Sequence, residues 1–351
     1  MNTTRKSRTT KTATQQATGA VLELPQAAFD LGNRWTIFGD GKLTINFPSV
    51  YVPMLEGQTP KRIKGETILI TKEGLSFMVG TQANFDKSAR IRMFDSDKIQ
   101  DMPLFLMASV GFYLKASNHT KVTEVSIERL QINMTEGDQL ASSIQKVLEK
   151  AHKFTLDGQE ITIKVGQVNV FEEGLAAYKI YSKANPHTDA NLLRAVLNVG
   201  GSTMDAILVD KDGDVLEHGF RSRKGGVSRL AELVQQHLIR QGFNVESKDL
   251  DLVMDALHNA HYPVSQGKDP DYSLLVVNGW DFSDVFPAIL DAWFKQTLGM
   301  IKTTFNPYFP QIECFIWTGG GTYMLTEKLN VSPKFIMTPR PELDNVIGLL
   351  D

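Results

Sequence analysis

Three glycine-centred turns carry residue types that can hold a phosphate group. The first is Asp30-Leu31-Gly32-Asn33-Arg34-Trp35-Thr36 and the second is Asn198-Val199-Gly200-Gly201-Ser202-Thr203-Met204-Asp205. The third is Phe315-Ile316-Trp317-Thr318-Gly319-Gly320-Gly321-Thr322. Each follows a run of β-forming residues, the context in which such a turn reads as an anion cradle. Glycines let backbone N–H groups approach phosphate oxygens, and successive N–H groups form a nest for negative charge. Neighbouring Ser, Thr and Asn supply hydroxyls and amides. An Asp beside the turn, such as Asp30 or Asp205, can hold Mg²⁺ through the water that the ion retains. One such turn is a weak signal; three in this order are a strong one.

The elements that must position these turns follow from hydrophobic periodicity. Ala28 to Gly32 reads as a strand end entering a turn, and a hairpin around Asp40-Gly41 joins Thr36–Phe38 to Leu43–Ile45. Asp101 to Ala116 is apolar nearly all round and predicts a buried helix. Val122–Met134 predicts a strand whose alternation changes phase, and Leu140 to Ala151 follows at helical spacing. Ile161 to Val170 predicts another strand, ending at Glu172-Glu173-Gly174. That acid pair reads equally as charge favoured by a helix N-terminus or as a carboxylate that orients and deprotonates water.

The second half repeats the opening. Ala195 to Gly201 is again a strand entering a glycine turn, followed by a hairpin with its tip at Asp210–Asp214. Amphipathic helices follow over Gly225–Gly242 and Ser283–Leu298. Asp30 and Asn198 occupy like positions 168 residues apart, which predicts two related α/β domains facing each other.

Composition sets bounds on function. The chain has 351 residues, 42% hydrophobic and 22% charged, with a net charge of -3. That is an ordinary globular composition, long enough for two domains. The single cysteine, Cys314, excludes an intrachain disulfide framework and a cysteine-based zinc cluster, and fits a cytoplasmic protein. No apolar stretch reaches membrane-spanning length, and the basic N-terminus does not lead into a secretory signal. Residues 1–24 read as a disordered tail whose basic charge suits DNA or an anionic surface. His258 and His261 are expected on a solvated helix face, not as metal ligands, and Cys314 is expected to pack in the interior.

At this point the chain resembles the actin, heat-shock-chaperone and sugar-kinase ATPase superfamily, above all the bacterial ParM/StbA-like actins. Asp30–Thr36, with Phe47-Pro48-Ser49-Val50 beyond it, resembles the family's first phosphate loop, and Phe77–Gly80 a following strand and turn. Asn198–Asp205 is similar to the second phosphate loop, Thr318–Gly321 to the adenosine loop, and Asp344–Leu349 to the C-terminal connecting segment. The resemblance spans residues 25–351 and implies two actin-like (ribonuclease H-like) domains around a nucleotide cleft. They would comprise residues 25–195 with 331–351, and residues 196–330.

It also implies roles for individual residues. Gly32, Asn33, Arg34, Trp35 and Thr36 would bind ATP or GTP together with Gly200, Gly201, Ser202 and Thr203, and with Gly319, Gly320, Gly321 and Thr322. Asp30, Asn198 and Asp205 would hold Mg²⁺, and Glu173 would be the catalytic carboxylate. Asn198 stands where the family has Asp, and Ile37 where it has Lys. An uncharged amide is expected to hold a magnesium-bound water less well. The implied activity is ATP hydrolysis coupled to filament assembly, in plasmid or DNA segregation through a DNA-binding adaptor or in a bacterial cytoskeleton. The alternatives are a slow or inactive nucleotide-binding scaffold and a non-polymerising sugar-kinase-like phosphotransferase.

Overall fold

The computed structural model describes residues 19–55, 66–86, 89–93, 96–187, 189, 191–222, 224–244 and 250–350. Residues 1–18 of the expected tail lie outside them. Ala20–Leu24, assigned above to that tail, are instead strand. They pair in parallel with residues 122–127, and the buried Leu24 anchors them in the core.

Two sheets carry the fold. The first contains β1 (Ala20–Leu31), β2 (Trp35–Gly39), β3 (Thr44–Pro48), β4 (Val50–Met54), β5 (Thr67–Lys72), β6 (Leu75–Gly80), β7 (Ile91–Arg92), β8 (Val122–Met134), β9 (Ala151–Leu156) and β10 (Gln159–Glu172). The second contains β11 (Leu193–Val199), β12 (Met204–Val209) and β13 (Val215–Ser222). After a small ribbon of β14 (Val276–Val277) and β15 (Trp280–Asp281), it is completed by β16 (Ile312–Thr318) and β17 (Phe335–Met337). The helices are α1 (Thr81–Phe85), α2 (Lys98–Ala116), α3 (Gly137–Leu148), α4 (Leu175–Ala184), α5 (Val227–Arg240), α6 (Leu250–His261), α7 (Phe286–Phe305), α8 (Thr326–Leu329) and α9 (Asp344–Leu350).

The strand order is the same in both halves. β3-β2-β1-β8-β10 and β13-β12-β11-β16-β17 each pair antiparallel twice, then parallel twice. Asp30 and Asn198 are the penultimate residues of the equivalent strands β1 and β11. The weak sequence repeat is therefore a repeat of topology. The first sheet continues from β10 through β9, β5, β6, β4 and β7, all antiparallel.

Sheet membership moves two expected boundaries. Residues 193–195 lie in β11 and residues 335–337 pair with β16, so both belong to the second sheet. Every residue of β11 is buried. Leu193, Ala195, Leu197 and Val199 face the α5–α7 core, while Val196 packs with Ala177 and Tyr178 of α4. A strand covered on both faces reads as a continuous apolar run. In β8 the phase change falls at Glu128 and Arg129, beside Pro25, which has no N–H to give the ladder.

The last helix closes the first half from below. α9 lies on α4 and β1, burying Val346 and Leu349 with Ala28, Ile37 and Ala176. The approach is close enough that a Cβ on Gly348 would sit 2.1 Å from the Ala176 carbonyl oxygen. The obstacle is backbone, so it cannot rotate away. Gly348→Ala is therefore expected to cost about 1–3 kcal/mol of stability, the usual range for overpacking. Urea unfolding checks this, and an unchanged midpoint would mean that α9 does not hold this packing.

Candidate functional site

The strands β1, β8 and β10 run parallel, as do β11 and β16, so their carboxyl ends open on one edge of each sheet. That edge is where open α/β sheets bind ligands. Asp30, Thr135, Glu172, Asn198 and Thr318 all stand at such strand ends. The turn after β10 brings the two edges together. Gly174 adopts φ +92°, and a Cβ there would meet Val196 of β11 at 3.2 Å. Glu173 is thereby pressed against the second sheet.

Glu173 is the hub of the site. Its Oε1 accepts a hydrogen bond from Asn198 Nδ2 at 2.7 Å, and its Oε2 accepts one from the Thr135 hydroxyl. Asn198 Oδ1 in turn accepts from Asn345 Nδ2 of α9 at 3.3 Å. Glu172, the other member of the acid pair, is turned away. Its carboxylate accepts from the backbone N–H groups of Glu136 at 3.4 Å and Gly137 at 3.2 Å, the start of α3. The helix-terminus reading of the acid pair thus holds for Glu172, at the start of α3.

Two further acids surround Glu173. Burial pushes the Asp30 carboxyl up to about 7, the Glu173 charge pushes the same way, and Lys98 opposes them. Burial likewise raises Asp205 to about 8, with Glu173 next in effect and Thr203 and Lys98 opposing. Asp205 is buried, and neither carboxylate oxygen makes a hydrogen bond of ordinary geometry. Confined carboxylates of this kind are what a cation relieves. Among the described residues no three His, Cys, Asp or Glu side chains converge as direct ligands for a metal ion. Mg²⁺ does not require that, since it binds proteins through one or two carboxylates and keeps several waters. Asp30 and Asp205 fit this mode; Asn198, with both ends of its amide engaged, does not.

The first two glycine turns line one cavity of about 270 Å³. Asn33, Arg34 and Trp35 come from the first turn and Ser202 from the second, with Ser228 at the start of α5. The second turn is braced by that helix, through Val227 N–H to Gly200 O at 3.1 Å and Ser228 N–H to Gly201 O at 2.7 Å. On the far wall stand Asp251 and Asp255 of α6. Arg34 pairs with Asp255 at 2.5 Å, and Arg90 and Arg92 pair with Asp251. Charged bridges therefore tie the two halves across the cavity.

Several expected ligands are engaged elsewhere. Thr36 is fully buried, its hydroxyl sharing a hydrogen bond with Ser49 at 2.9 Å. It lies in β2 and belongs to the sheet, not to the rim. The third turn does not line the cavity. Gly319 adopts φ +85°, and a Cβ there would lie 2.5 Å from Asn198 Oδ1, so this turn makes room for Asn198. Gly321 packs against Val199 and Val227, and Thr322 donates to the Thr318 carbonyl at 2.6 Å, while Gly320 is exposed.

The histidines correct a further expectation. His261 is buried and His258 is half-buried, packed between Trp35 at 5.6 Å and Tyr262 at 5.8 Å. Burial, then the Arg34 charge, lowers His258 to about 4, so at neutral pH it is an uncharged ring stacked between Trp35 of β2 and Tyr262. Cys314 is buried as expected. Lys98 and Thr135 had no motif to reveal them, and Asn345 lies in the C-terminal connecting segment without a role assigned to it from the sequence. Thr135 follows β8 directly, which is the signal that strand-end reasoning could have used.

The duplicated strand order and the cleft between the two halves define the actin-like fold. Residues 28–175 match the family model for the N-terminal domain of actin-like proteins. The chain therefore has an actin-like fold. It is similar to the solved structure of Ta0583, an archaeal actin homologue, with TM-score 0.70, 16% identity, and 93% of this chain and 98% of that one covered. It is also similar to the actin-like protein Alp7A, with TM-score 0.71, 15% identity and coverage of 94% and 95%. A 15-stranded ParM filament from Clostridium botulinum matches with TM-score 0.69, 15% identity and coverage of 93% and 97%. Curated protein sequences give no match. Among the described residues no helix is long and apolar enough to cross a membrane.

Proposed function

We propose that this protein is a nucleotide-dependent, filament-forming actin-like ATPase. The observation that carries the reading is the grouping of Asp30 and Asp205 around Glu173 at the strand ends. The two phosphate-type turns that continue from Asp30 and precede Asp205 line a cavity whose wall the acids themselves do not form. The backbone N–H groups of the Gly32–Trp35 and Gly200–Thr203 turns would receive the phosphates of ATP or GTP. Gly319–Gly321 would support the nucleoside side. Asp30 and Asp205 would hold hydrated Mg²⁺, which supplies neutralisation of charge on the phosphoryl oxygens. Glu173 would orient the attacking water and accept its proton late.

The cavity is slightly smaller than the roughly 300–1,000 Å³ of typical small-molecule sites. A nucleotide bound here would compete with Asp255 and Asp251 for Arg34, Arg90 and Arg92, which line the same cavity. Nucleotide would thus control how the two halves sit, and that suits a protein whose assembly follows its nucleotide state. The similar proteins include a ParM filament and an ADP complex of the archaeal actin homologue. By this analogy the partner is a second copy of the chain, and the cellular role is DNA segregation with an adaptor or a cytoskeletal one.

High-speed sedimentation with and without Mg-ATP or Mg-GTP tests the reading. Pelleting that depends on nucleotide is expected. A protein that remains in the supernatant with either nucleotide, at concentrations that assemble other actin-like proteins, would defeat the filament reading.

A further inference from the structure

Asn198 is 2% exposed and stands beside Asp205 on one side and Thr318 on the other in the ladder. Its amide is used at both ends, by Glu173 Oε1 at 2.7 Å and by Asn345 Nδ2 at 3.3 Å. These partners fix which way the amide faces. Turned over, its oxygen would meet the Glu173 carboxylate and its nitrogen would meet another N–H donor. With Thr135 on Oε2, each Glu173 oxygen receives one donor. A carboxylate has about four lone-pair sites, so both oxygens can still accept from water.

We propose that Asn198 is a positioning residue for Glu173, set by its amide donor, and not a weakened magnesium ligand. This rests on the reading of Glu173 as the group that orients water. A carboxylate at position 198 would bring oxygen against oxygen at the distance where the amide now donates, in a pocket that already holds Asp30 and Asp205. Like charges confined in this way cannot both ionise without moving apart. The uncharged, donating side chain is therefore what keeps Glu173 aimed. The inference differs from the reading of Asn198 as an amide that holds a magnesium-bound water less well, under which a slow scaffold would gain hydrolysis on Asn198→Asp.

The test compares wild type, Asn198→Asp, Glu173→Ala and the double variant. Phosphate release is measured at saturating Mg-ATP, and affinity for a fluorescent ATP analogue is measured with and without Mg²⁺. Thermal unfolding is followed without nucleotide. Asn198→Asp is expected to slow release by about tenfold or more, as misplacing a reacting group does, with affinity for Mg-nucleotide unchanged. Without nucleotide it is expected to lower the melting temperature, and to lower it much less in the Glu173→Ala background, because the repelling partner is gone. Faster release, tighter Mg²⁺-dependent binding or equal effects in both backgrounds would overturn the proposal.

If Glu173→Ala abolishes release while Asn198→Asp matches wild type, the positioning role alone is lost. If Glu173→Ala releases phosphate normally, or wild type releases none, the reading of Glu173 fails and the positioning role with it. Should Asn198→Asp not fold, Asn198→Ser removes the reach to Glu173 without adding charge. Slower release with intact binding supports the role, and wild-type release overturns it.

Discussion

Glu173→Gln is expected to slow nucleotide hydrolysis by about 10²–10⁴-fold, the range for removal of a general base, while nucleotide affinity stays close to wild type. The substitution preserves size and keeps one oxygen for the Asn198 donor, while its new NH2 can donate to the Thr135 hydroxyl, which accepts as well as donates. What it removes is the charge proposed to orient water and take its proton. Loss of turnover at saturating nucleotide with binding retained marks an interaction made in the transition state. Stopped-flow phosphate release and equilibrium nucleotide titration separate the two quantities. A variant that turns over normally would move the role away from Glu173. Glu172 would be a poor successor, because its carboxylate already accepts the backbone N–H groups that open α3.

The acids around Glu173 lead to a second large effect. Asp30 is raised to about 7 and Asp205 to about 8, both from an ordinary 3.8, chiefly by burial and then by the charge of Glu173. A raised carboxyl holds its proton in the folded state after the unfolded chain has released it. Stability therefore falls with rising pH, beginning above about 4 and levelling off above about 8. The buried His152 and His261 and the half-buried His258 are lowered by desolvation from an ordinary 6.5 and act in the opposite sense, but only below that value. Between about pH 6.5 and 8.5 the acids act alone among these groups.

The melting temperature of the nucleotide-free protein should accordingly drop across that interval. Mg-nucleotide should restore most at the alkaline end, where the carboxylates are ionised and bind the cation best. Asp205→Asn should flatten the profile and raise the melting temperature at pH 8.5, while weakening Mg²⁺-dependent nucleotide binding. This is the signature of a site that holds destabilising charge for function. A pH profile identical to wild type in Asp205→Asn would show that Asp205 is not a source of the strain.

Some of this protein was legible in its residues. The glycine turns, the hairpins at Asp40-Gly41 and Asp210–Asp214, and the strand over Val122–Met134 depend on local backbone demands and on alternation, both written in neighbouring residues. The repeat that relates Asp30 to Asn198 was visible for the same reason, and it became a duplicated strand order in the structure. The limits of β1 and the place of β17 were not visible, because each is decided by a partner strand far away in sequence.

Side-chain roles were decided later still. Thr36 reads as a phosphate ligand until Ser49 takes its hydroxyl, Arg34 until Asp255 reaches it across the cavity, and Asn198 as a weak metal ligand until Glu173 and Asn345 claim its amide. The sequence by itself determined the turns, the repeated α/β plan and the acids available for chemistry, since a backbone conformation and a hydrophobic period are properties of consecutive residues. Only the tertiary structure decided which acid faces the site and which polar group holds it there. A side chain's hydrogen bonds, and the burial that shifts its charge, come from residues that folding brings together from both halves of the chain.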